Sequence, residues 1–279
     1  MPKFCANLSL LFTELPFLDR FAAAARAGFS AVECQFPYAL PATAIAEALQ
    51  YNRLRMVLFN LPAGNWEAGE RGIAVLPQRV AEFRAGVERA IEYAQTLDCH
   101  QCNALAGIPA SDCSVELAER TLIENLHDAA ERLQAAGIRL LLEPLNTHDV
   151  PGFFVNRAAQ AMRLIDGVAH DNLFLQHDVY HAARMGDDPA AILATHPSRI
   201  AHLQIADCPG RHEPGSGGID FRALFEQIDR SGYPGWIGAE YIPRAGTEAG
   251  LSWYRAELAR SASAPVPGTC ASPAAGAGP

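Results

Sequence analysis

Apolar runs rich in β-branched and aromatic residues alternate along the chain with stretches rich in Ala, Leu, Glu and Arg. The first pattern is typical of buried strands and the second of amphipathic helices. The predicted strands lie near residues 4–7, 31–34, 55–60, 101–105, 138–143, 173–178, 200–206 and 236–240. The predicted helices lie near residues 16–27, 43–52, 77–97, 114–136, 157–167, 188–196, 220–231 and 247–260. Eight such repeats predict an α/β fold, a single (β/α)8 TIM barrel, over residues 1–260.

Glycines at the element boundaries support this prediction. Gly28, Gly137 and Gly232 each stand just after a predicted helix and just before a predicted strand. Glycine takes the left-handed conformation of a helix C-terminus at little cost, so these positions fit helix ends.

The clearest chemical signal is that the last four predicted strands carry an oxygen-bearing side chain at or near the end. In the stretch LLLEPLN, Glu143 ends the strand, because Pro144 cannot continue a central strand. The corresponding residues of the next three strands are Asp178, Gln204 and Glu240. The strand ends of a parallel barrel meet at one face, so we expect these oxygens to converge there. Three carboxylates and an amide oxygen predict a divalent metal site for Mg²⁺ or Mn²⁺.

Two glutamates on such a metal predict proton transfer next to a carbonyl group. A metal bound to a carbonyl oxygen and a neighbouring hydroxyl makes the hydrogen on the carbon between them more acidic. Glu143 and Glu240 are therefore predicted to be the acid/base pair as well as metal ligands. This chemistry interconverts 2-hydroxyaldehydes and ketones, or epimerises one carbon if the proton returns to the same position.

Other candidate residues surround this predicted site. His181 follows Asp178 by three residues, and Arg211 and Glu213 lie in a long Gly/Pro-rich loop, residues 208–218. The guanidinium of Arg211 matches a carboxylate substrate in shape and charge. His177 precedes Asp178 directly, so alternation along the strand predicts that it points out of the barrel.

Composition and charge exclude some classes of partner. The chain has 22 Lys and Arg residues against 31 Asp and Glu residues, a net charge of −9. We therefore expect a small-molecule 2-oxo or hydroxy acid substrate, and neither nucleic acid nor a membrane as the main partner. A homo-oligomer is compatible with the sequence, which does not determine the oligomeric state.

The cysteines and the termini complete the sequence picture. Seven cysteines, most of them in apolar segments, predict reduced thiols in a cytoplasmic protein. The CxxC spacing of Cys99 and Cys102 fits a buried strand better than a redox or zinc site. The N-terminus lacks a cleavage-site pattern. Residues 261–279 are rich in Pro, Ala and Gly, which predicts a disordered tail.

The motifs together resemble the hydroxypyruvate isomerase and 2-oxotetronate isomerase family of the xylose isomerase-like TIM-barrel superfamily. The motifs are ANLS (6–9), FPY (36–38), LPAGNWEAGERG (61–72), LLLEPLN (140–146), VPGFF (150–154), HDVYH (177–181), HLQIAD (202–207), RHEPGSGGID (211–220) and GWIGAEY (235–241). The resemblance implies the same four metal ligands and proton-transfer glutamates. It also implies substrate contacts by His181, Arg211 and either Glu70 or Arg71.

The resemblance predicts the reaction type more narrowly than the substrate. LFN at residues 58–60 is similar to 2-oxotetronate isomerases, whereas the loop at residues 61–72 is similar to hydroxypyruvate isomerases. We predict interconversion of hydroxypyruvate and 2-hydroxy-3-oxopropanoate (tartronate semialdehyde). The alternatives are 2-oxotetronate isomerisation and a related sugar epimerase. An apurinic endonuclease would need a basic surface facing DNA, and a non-catalytic binding protein on this fold would be expected to lack a ligand.

Overall fold

The computed structural model describes residues 2–262 and confirms one closed barrel of parallel strands. The strands are β1 (Lys3–Asn7), β2 (Ala31–Glu33), β3 (Arg55–Asn60), β4 (Gln101–Ala104), β5 (Arg139–Leu142), β6 (Leu173–Asp178), β7 (Ile200–Ile205) and β8 (Trp236–Ala239). They pair in chain order, and β8 returns to pair with β1. Because all pairs are parallel, the C-terminal ends of the strands meet at one mouth of the barrel.

Helices follow the strands around the outside. They are α1 (Phe17–Arg26), α2 (Ala42–Asn52), α3 (Val80–Leu97), α4 (Val115–Ala135), α5 (Ala158–Val168), α6 (Val179–Arg184), α7 (Pro189–Thr195), α8 (Phe221–Ser231) and α9 (Ser252–Ala262). Short 3₁₀ turns at Pro77–Arg79 and Ala249–Leu251 lead into α3 and α9. Apart from the backbone of residues 261 and 262, which continues α9, the predicted tail of residues 261–279 lies outside the described residues.

Helix α6 corrects the sequence prediction, which placed no helix between residues 178 and 188. Asp178 is both the last residue of β6 and the N-cap of α6. Its Oδ1 accepts from the backbone N–H groups of Tyr180 at 2.7 Å and of His181 at 3.4 Å. Six helical residues are too few to produce a readable hydrophobic period, so this element left no pattern in the sequence.

The main apolar core lies between the strands and the helices, while the inside of the barrel carries buried polar groups. Glu33 on β2 contacts His202 on β7, and Gln101 on β4 also contacts His202. These strands are not neighbours, so the contacts cross the lumen. Glu33 and His202 expose 1% and 0% of their surface. Buried polar groups that satisfy one another in this way fix a definite arrangement of the core.

The loop after β3 is held to the neighbouring loop by backbone contact. A Cβ on Gly72 would lie 2.3 Å from the carbonyl oxygen of Leu105, and one on Gly107 would lie 2.3 Å from the carbonyl oxygen of Gly72. Both glycines have positive φ values, +119° and +101°. Only glycine allows this approach and this conformation at low cost. The close contact places residues 61–76 over the barrel mouth.

A buried aspartate holds the loop after β7. Asp207 is fully buried, and its carboxylate accepts hydrogen bonds from the backbone N–H groups of Cys208, Gly215, Gly217 and Ile219 at 2.8–3.1 Å. Its backbone also pairs with that of His212. The segment that contains Arg211 is therefore tied to the end of β7.

Two further features concern membranes and thiols. Within residues 2–262, no helix combines the length and the apolar character needed to cross a lipid bilayer. In the same range, Cys5, Cys34, Cys99, Cys102, Cys113 and Cys208 are free thiols.

Candidate active site

A ring of polar side chains occupies the C-terminal mouth of the barrel, one from each strand. In chain order these side chains are Asn7, Glu33, Asn60, Asn103, Glu143, Asp178, Gln204 and Glu240. None exposes more than 8% of its surface. The four predicted metal ligands are the members of this ring that belong to β5 through β8.

All members of this ring except Asn103 and Asp178 line a cavity of about 200 Å³. Trp66 and Arg71 line one part of it from the loop after β3. Leu105, Leu145 and Val150 line another part and are apolar. The volume is smaller than that of sites for drug-sized ligands, which begin at about 300 Å³. It suits a compact molecule of a few carbon atoms.

Glu143, Asp178 and His181 form a compact group of potential ligands. One ligand atom from each of the three lies within 4.8 Å of the others. Asp178 Oδ1 caps α6, while Asp178 Oδ2 is buried and accepts no hydrogen bond. A buried carboxylate oxygen without a partner is costly unless a cation or donor group meets it. This oxygen is therefore a candidate ligand atom.

Burial raises the pKa of each of the three carboxylates. Burial, reinforced by the charges of Glu240 and Asp178, raises the pKa of Glu143 well above its usual range. Burial and the charge of Glu240 also raise the pKa of Asp178. Burial raises the pKa of Glu240 too, although the nearby guanidinium of Arg211 acts in the opposite direction. The site thus concentrates negative charge in a dry environment, which favours a divalent cation or a proton.

Glu240 differs from the other two carboxylates because both of its oxygens have donors. Its Oε2 accepts from Arg211 Nη2 at 2.9 Å, and its Oε1 accepts from Asn7 and Gln35 at 3.1 Å each. Arg211 also lies over the ring of Tyr180, 5.3 Å from its centre. Arg211 Nε is buried and has no partner, so this arginine retains one donor.

Gln204 is held by two neighbours. Its Nε2 donates to Glu33 Oε1 at 2.8 Å, and its Oε1 accepts from Gln176 Nε2 at 2.6 Å. A carbonyl oxygen can accept two hydrogen bonds or bind a metal with its second lone pair. Gln204 Oε1 therefore remains available as a ligand.

His181 is oriented by the segment after β5. Its Nδ1 accepts from the backbone N–H of Asn146 at 3.1 Å, so the proton of the neutral ring lies on Nε2. Nε2 is 3.7 Å from Asp178 Oδ2. Burial, with the nearby charge of Arg211, lowers the pKa of His181 well below its usual value. The ring is thus a neutral donor at the site.

The remaining sequence candidates fall in different places. Arg71 lines the cavity, its guanidinium lies 4.1 Å from the centre of the Trp66 ring, and it donates to the backbone oxygens of Trp66 and Glu70. No carboxylate of the described residues pairs with it. Glu70 instead contacts Arg79 and the backbone of Asn65. Neither Glu70 nor Glu213 lines the cavity.

Glu213 is part of the loop after β7, and its Oε2 accepts from the backbone N–H of Arg244 at 3.1 Å. His177 points out of the barrel, as alternation along β6 predicts, with Nε2 3.0 Å from the carbonyl oxygen of Pro189.

The residues present fit a divalent cation. Asp178 Oδ2 and Gln176 Oε1 are both buried oxygens without a hydrogen-bond partner, and Gln204 Oε1 has a spare lone pair. Hard cations such as Mg²⁺ and Mn²⁺ prefer such carboxylate and amide oxygens.

The sequence analysis missed the contributions of the first four strands. Asn7 binds Glu240 and Glu33, and Asn103 binds Glu143 at 2.9 Å. The signal was the same as in the later strands, a polar residue at the end of an apolar run. The amides and the single carboxylate inside the runs FCAN, AVEC and QCNAL indicate a particular chemistry less clearly than the carboxylates of the second half do. These residues were therefore not predicted to belong to the site.

Several known proteins are similar to this chain in sequence over most of its length. A family model described as a xylose isomerase-like TIM barrel matches residues 21–257. A 2-oxo-tetronate isomerase from Cupriavidus necator is 45% identical over 260 residues, which is 93% of this chain and 100% of the relative. A hydroxypyruvate isomerase from Escherichia coli is 47% identical over 253 residues, 91% of this chain and 98% of the relative.

One solved structure is similarly close. A crystal structure described as an AP endonuclease, family 2, from Brucella melitensis is 44% identical with a TM-score of 0.89. The match covers 92% of this chain and 99% of that chain.

Proposed function

The chain belongs to the xylose isomerase-like TIM-barrel family, and we propose that it is an isomerase that interconverts hydroxypyruvate and 2-hydroxy-3-oxopropanoate. The observation that carries the proposal is that Glu143 and Glu240 line a small cavity that Arg71 also lines, with Asp178 grouped beside Glu143. Groups that can move a proton and a group that can bind a substrate carboxylate therefore lie in the same cavity.

A four-carbon substrate is the second candidate. The Cupriavidus relative, a 2-oxo-tetronate isomerase, matches this chain nearly as well as the Escherichia relative does, at 45% against 47% identity. The two substrates differ by one carbon and its hydroxyl, and the chemistry at the reacting carbons is the same. Both substrates therefore belong in the test.

We propose that Glu143, Asp178, Gln204 and Glu240 hold Mg²⁺ or Mn²⁺. Asp178 Oδ2 and Gln204 Oε1 have lone pairs available, while Glu240 would exchange part of its contact with Arg211 for the metal. When bound, the metal would polarise the substrate carbonyl and its neighbouring hydroxyl, which makes the carbon-bound hydrogen more acidic.

The glutamates would then move the proton. One of Glu143 and Glu240 removes a proton from C3 of hydroxypyruvate, and the other delivers a proton to C2. The proton of the C3 hydroxyl passes to the C2 oxygen, so C3 becomes the aldehyde and C2 carries the hydroxyl. The raised pKa of Glu143, caused by burial and by the charges of Glu240 and Asp178, suits a group that must both take and release a proton.

Three further residues would bind the substrate. Arg71 has its guanidinium on the cavity with only backbone oxygens as partners, so it is placed to bind the substrate carboxylate. The neutral His181 would donate from Nε2 to a substrate oxygen. Arg211 would fix Glu240 and offer its unpaired Nε to the same substrate.

The Brucella relative raises nucleic acid as a different class of substrate. A charge of −9 disfavours a phosphate backbone, and a cavity of about 200 Å³ suits a small acid better than an extruded nucleotide. Incision of an oligonucleotide with one abasic site, at a rate comparable with isomerisation, would contradict our proposal.

The free thiols of the described region fit the proposed cytoplasmic location.

The deciding experiment is solvent deuterium incorporation followed by NMR. Hydroxypyruvate and 2-dehydrotetronates of both configurations are incubated with the protein, with and without Mg²⁺ or Mn²⁺. We expect exchange that requires metal and is abolished in Glu143→Gln and Glu240→Gln. Glu116→Gln, which changes an exposed glutamate on α4, is the control and should exchange normally. Metal-bound protein that exchanges none of these substrates would overturn the isomerase proposal.

A further inference from the structure

Glu33 is a buried carboxylate of the barrel lumen that the proposed mechanism does not use. It exposes 1% of its surface, and four side chains donate to it. Asn7 Nδ2 and Gln204 Nε2 donate to Oε1 at 2.9 and 2.8 Å, and His202 Nε2 and Cys5 Sγ donate to Oε2 at 2.6 and 3.4 Å. So complete a set of donors keeps this carboxylate ionised despite its burial.

An ionised carboxylate can only accept hydrogen bonds, and this determines the direction of the Gln204 amide. With Nε2 turned toward Glu33, Gln204 Oε1 must turn toward the cavity. The reversed amide would set two oxygens against each other at 2.8 Å. Glu33 therefore selects one of the two amide orientations of Gln204.

The same selection extends to Gln176. Gln176 Nε2 donates to Gln204 Oε1 at 2.6 Å, which leaves Gln176 Oε1 buried and without a partner. Gln176 also lines the cavity. A reversed Gln204 would present N–H groups instead and would no longer accept from Gln176. One carboxylate thus sets the direction of two successive amides.

The surroundings of Glu33 hold its carboxylate in place. Gln101 Nε2 donates to His202 Nδ1 at 3.2 Å, so His202 carries its proton on Nε2 and donates it to Glu33. On β8, a Cβ at Gly238 would lie 2.4 Å from both oxygens of Glu33. The glycine leaves the space that the carboxylate occupies.

We propose that Glu33 is a positioning residue that turns the amide oxygens of Gln204 and Gln176 toward the metal. This inference rests on the proposed function, because it assumes that Gln204 is a metal ligand. It also gives a physical reason for glutamine at position 204. A side chain there must donate to Glu33 and present an oxygen to the cavity, and an amide does both, whereas a carboxylate has no proton to donate.

The test is a double-mutant cycle read by Mn²⁺ binding to metal-free protein, measured by calorimetry. Glu33→Gln should raise the Mn²⁺ Kd by about 10- to 100-fold, the usual effect of losing a group that orients a metal ligand. Removing a negative charge weakens cation binding by itself, so a matched control is required. Asp149→Asn removes the charge of an exposed residue on the wall of the same cavity without touching a proposed ligand, so it gives a lower bound on the charge effect and should change Kd by no more than about threefold.

The second arm repeats Glu33→Gln in protein that carries Gln204→Leu. No amide remains at position 204 to be oriented, so only the charge effect of Glu33→Gln remains, and the rise in Kd should be several-fold smaller than in the wild-type background. An equal effect in both backgrounds would mean that Glu33 acts through charge or packing, and it would overturn the inference. So would wild-type Mn²⁺ affinity in folded Glu33→Gln protein.

A charge-preserving variant covers the case in which Glu33→Gln does not fold. Gly238→Ala forces the Glu33 carboxylate to move without removing it, and it should weaken Mn²⁺ binding about 10-fold or more. Unchanged affinity in this variant counts against the inference. If wild-type protein itself binds no Mn²⁺, the proposed metal site fails, a result that these comparisons keep separate from failure of the positioning role.

Discussion

The two halves of the barrel contribute different kinds of side chain to the same mouth. Strands β5 to β8 carry the four proposed metal ligands at or directly after their ends, and these are Glu143, Asp178, Gln204 and Glu240. Strands β1 to β4 supply residues that bind them. Asn103 donates to Glu143 at 2.9 Å, Asn7 donates to Glu240 at 3.1 Å, and Glu33 accepts from Gln204 at 2.8 Å.

In our proposal, this difference separates the groups that bind the metal and move the proton from the groups that orient them. Three carboxylates crowded into a buried site repel one another, and without fixed donors each could rotate away. Amides from the first half hold Glu143 and Glu240 by hydrogen bonds that do not neutralise their charge, while the backbone of α6 holds Asp178. We therefore expect the carboxylates of the second half to keep their negative charge for the metal and the substrate. Hydrogen bonds from the first half limit the rotation of these side chains.

The largest effect is expected from the second half of the barrel. Glu143→Gln keeps the shape of the side chain and removes its ability to take and release a proton. The kcat for hydroxypyruvate should fall by about 10²- to 10⁴-fold at saturating Mn²⁺, and Glu240→Gln should behave similarly. Steady-state kinetics with both substrates measures this. A kcat within tenfold of wild type would assign the proton transfer to other residues.

A smaller effect is expected when the first half loses a donor. Asn103→Leu frees Glu143 Oε2 from its hydrogen bond, so kcat should fall by about 10- to 100-fold. Asn172→Leu is the matched control, because Asn172 is a buried asparagine directly before β6, at the end of the barrel away from the mouth, and donates to the backbone oxygens of Ala130 and Ile138. It should lower thermal stability and leave kcat close to that of the wild type. Equal kinetic effects would erase the distinction between the two halves.

A variant in the loop after β3 tests whether substrate binding depends on residues other than the strand-end side chains of the two halves. Arg71→Gln removes the proposed partner of the substrate carboxylate, and KM should rise by at least about tenfold while kcat changes less. Arg211→Gln should instead act mainly on kcat, because Arg211 holds Glu240 at 2.9 Å. An unchanged KM in Arg71→Gln would remove Arg71 from the substrate site.

The smallest effect on activity is expected on the outer face of β6, next to Asp178. Burial lowers the pKa of His177 from 6.5 to about 4. Between pH 7 and pH 5 the unfolded chain therefore takes up a proton that the folded protein refuses, so stability falls as the pH falls. For one fully buried group this amounts to about 2 kcal/mol.

His177→Leu should remove this contribution. The variant loses the hydrogen bond to Pro189, so it is less stable at pH 7, but its loss of stability on going to pH 5 should be smaller than in the wild type. Urea unfolding at the two pH values measures both quantities. An unchanged difference between them would show that His177 does not contribute to acid sensitivity.

The sequence predicted the fold because each strand and helix carries its own hydrophobic pattern. The predicted strand at residues 55–60 coincides with Arg55–Asn60, and the other strands end within one residue of the prediction. Helix α6 was not predicted, because its stability comes from the Asp178 cap and from packing rather than from a hydrophobic periodicity of its own residues.

Part of the site could be predicted from the sequence and part could not. The residues at the ends of β5 to β8 can be recognised in the sequence because each is a carboxylate or amide at or near the end of an apolar run. The pairing of Arg211 with Glu240 could not be foreseen, since it depends on the four backbone hydrogen bonds by which Asp207 folds its loop. In the same way, the contact of Glu70 with Arg79 depends on how the loop after β3 packs.

The hydrogen bond between Asn7 and Glu240 joins residues that are 233 positions apart. At ribosomal rates of about 5–20 residues per second, roughly 10 to 50 seconds separate the synthesis of these two residues. During that interval Asn7 and Glu33 have been made, but the strands that complete their surroundings have not. A nascent chain therefore carries an open sheet edge and polar groups awaiting burial, and it gains its catalytic centre only when β8 closes on β1.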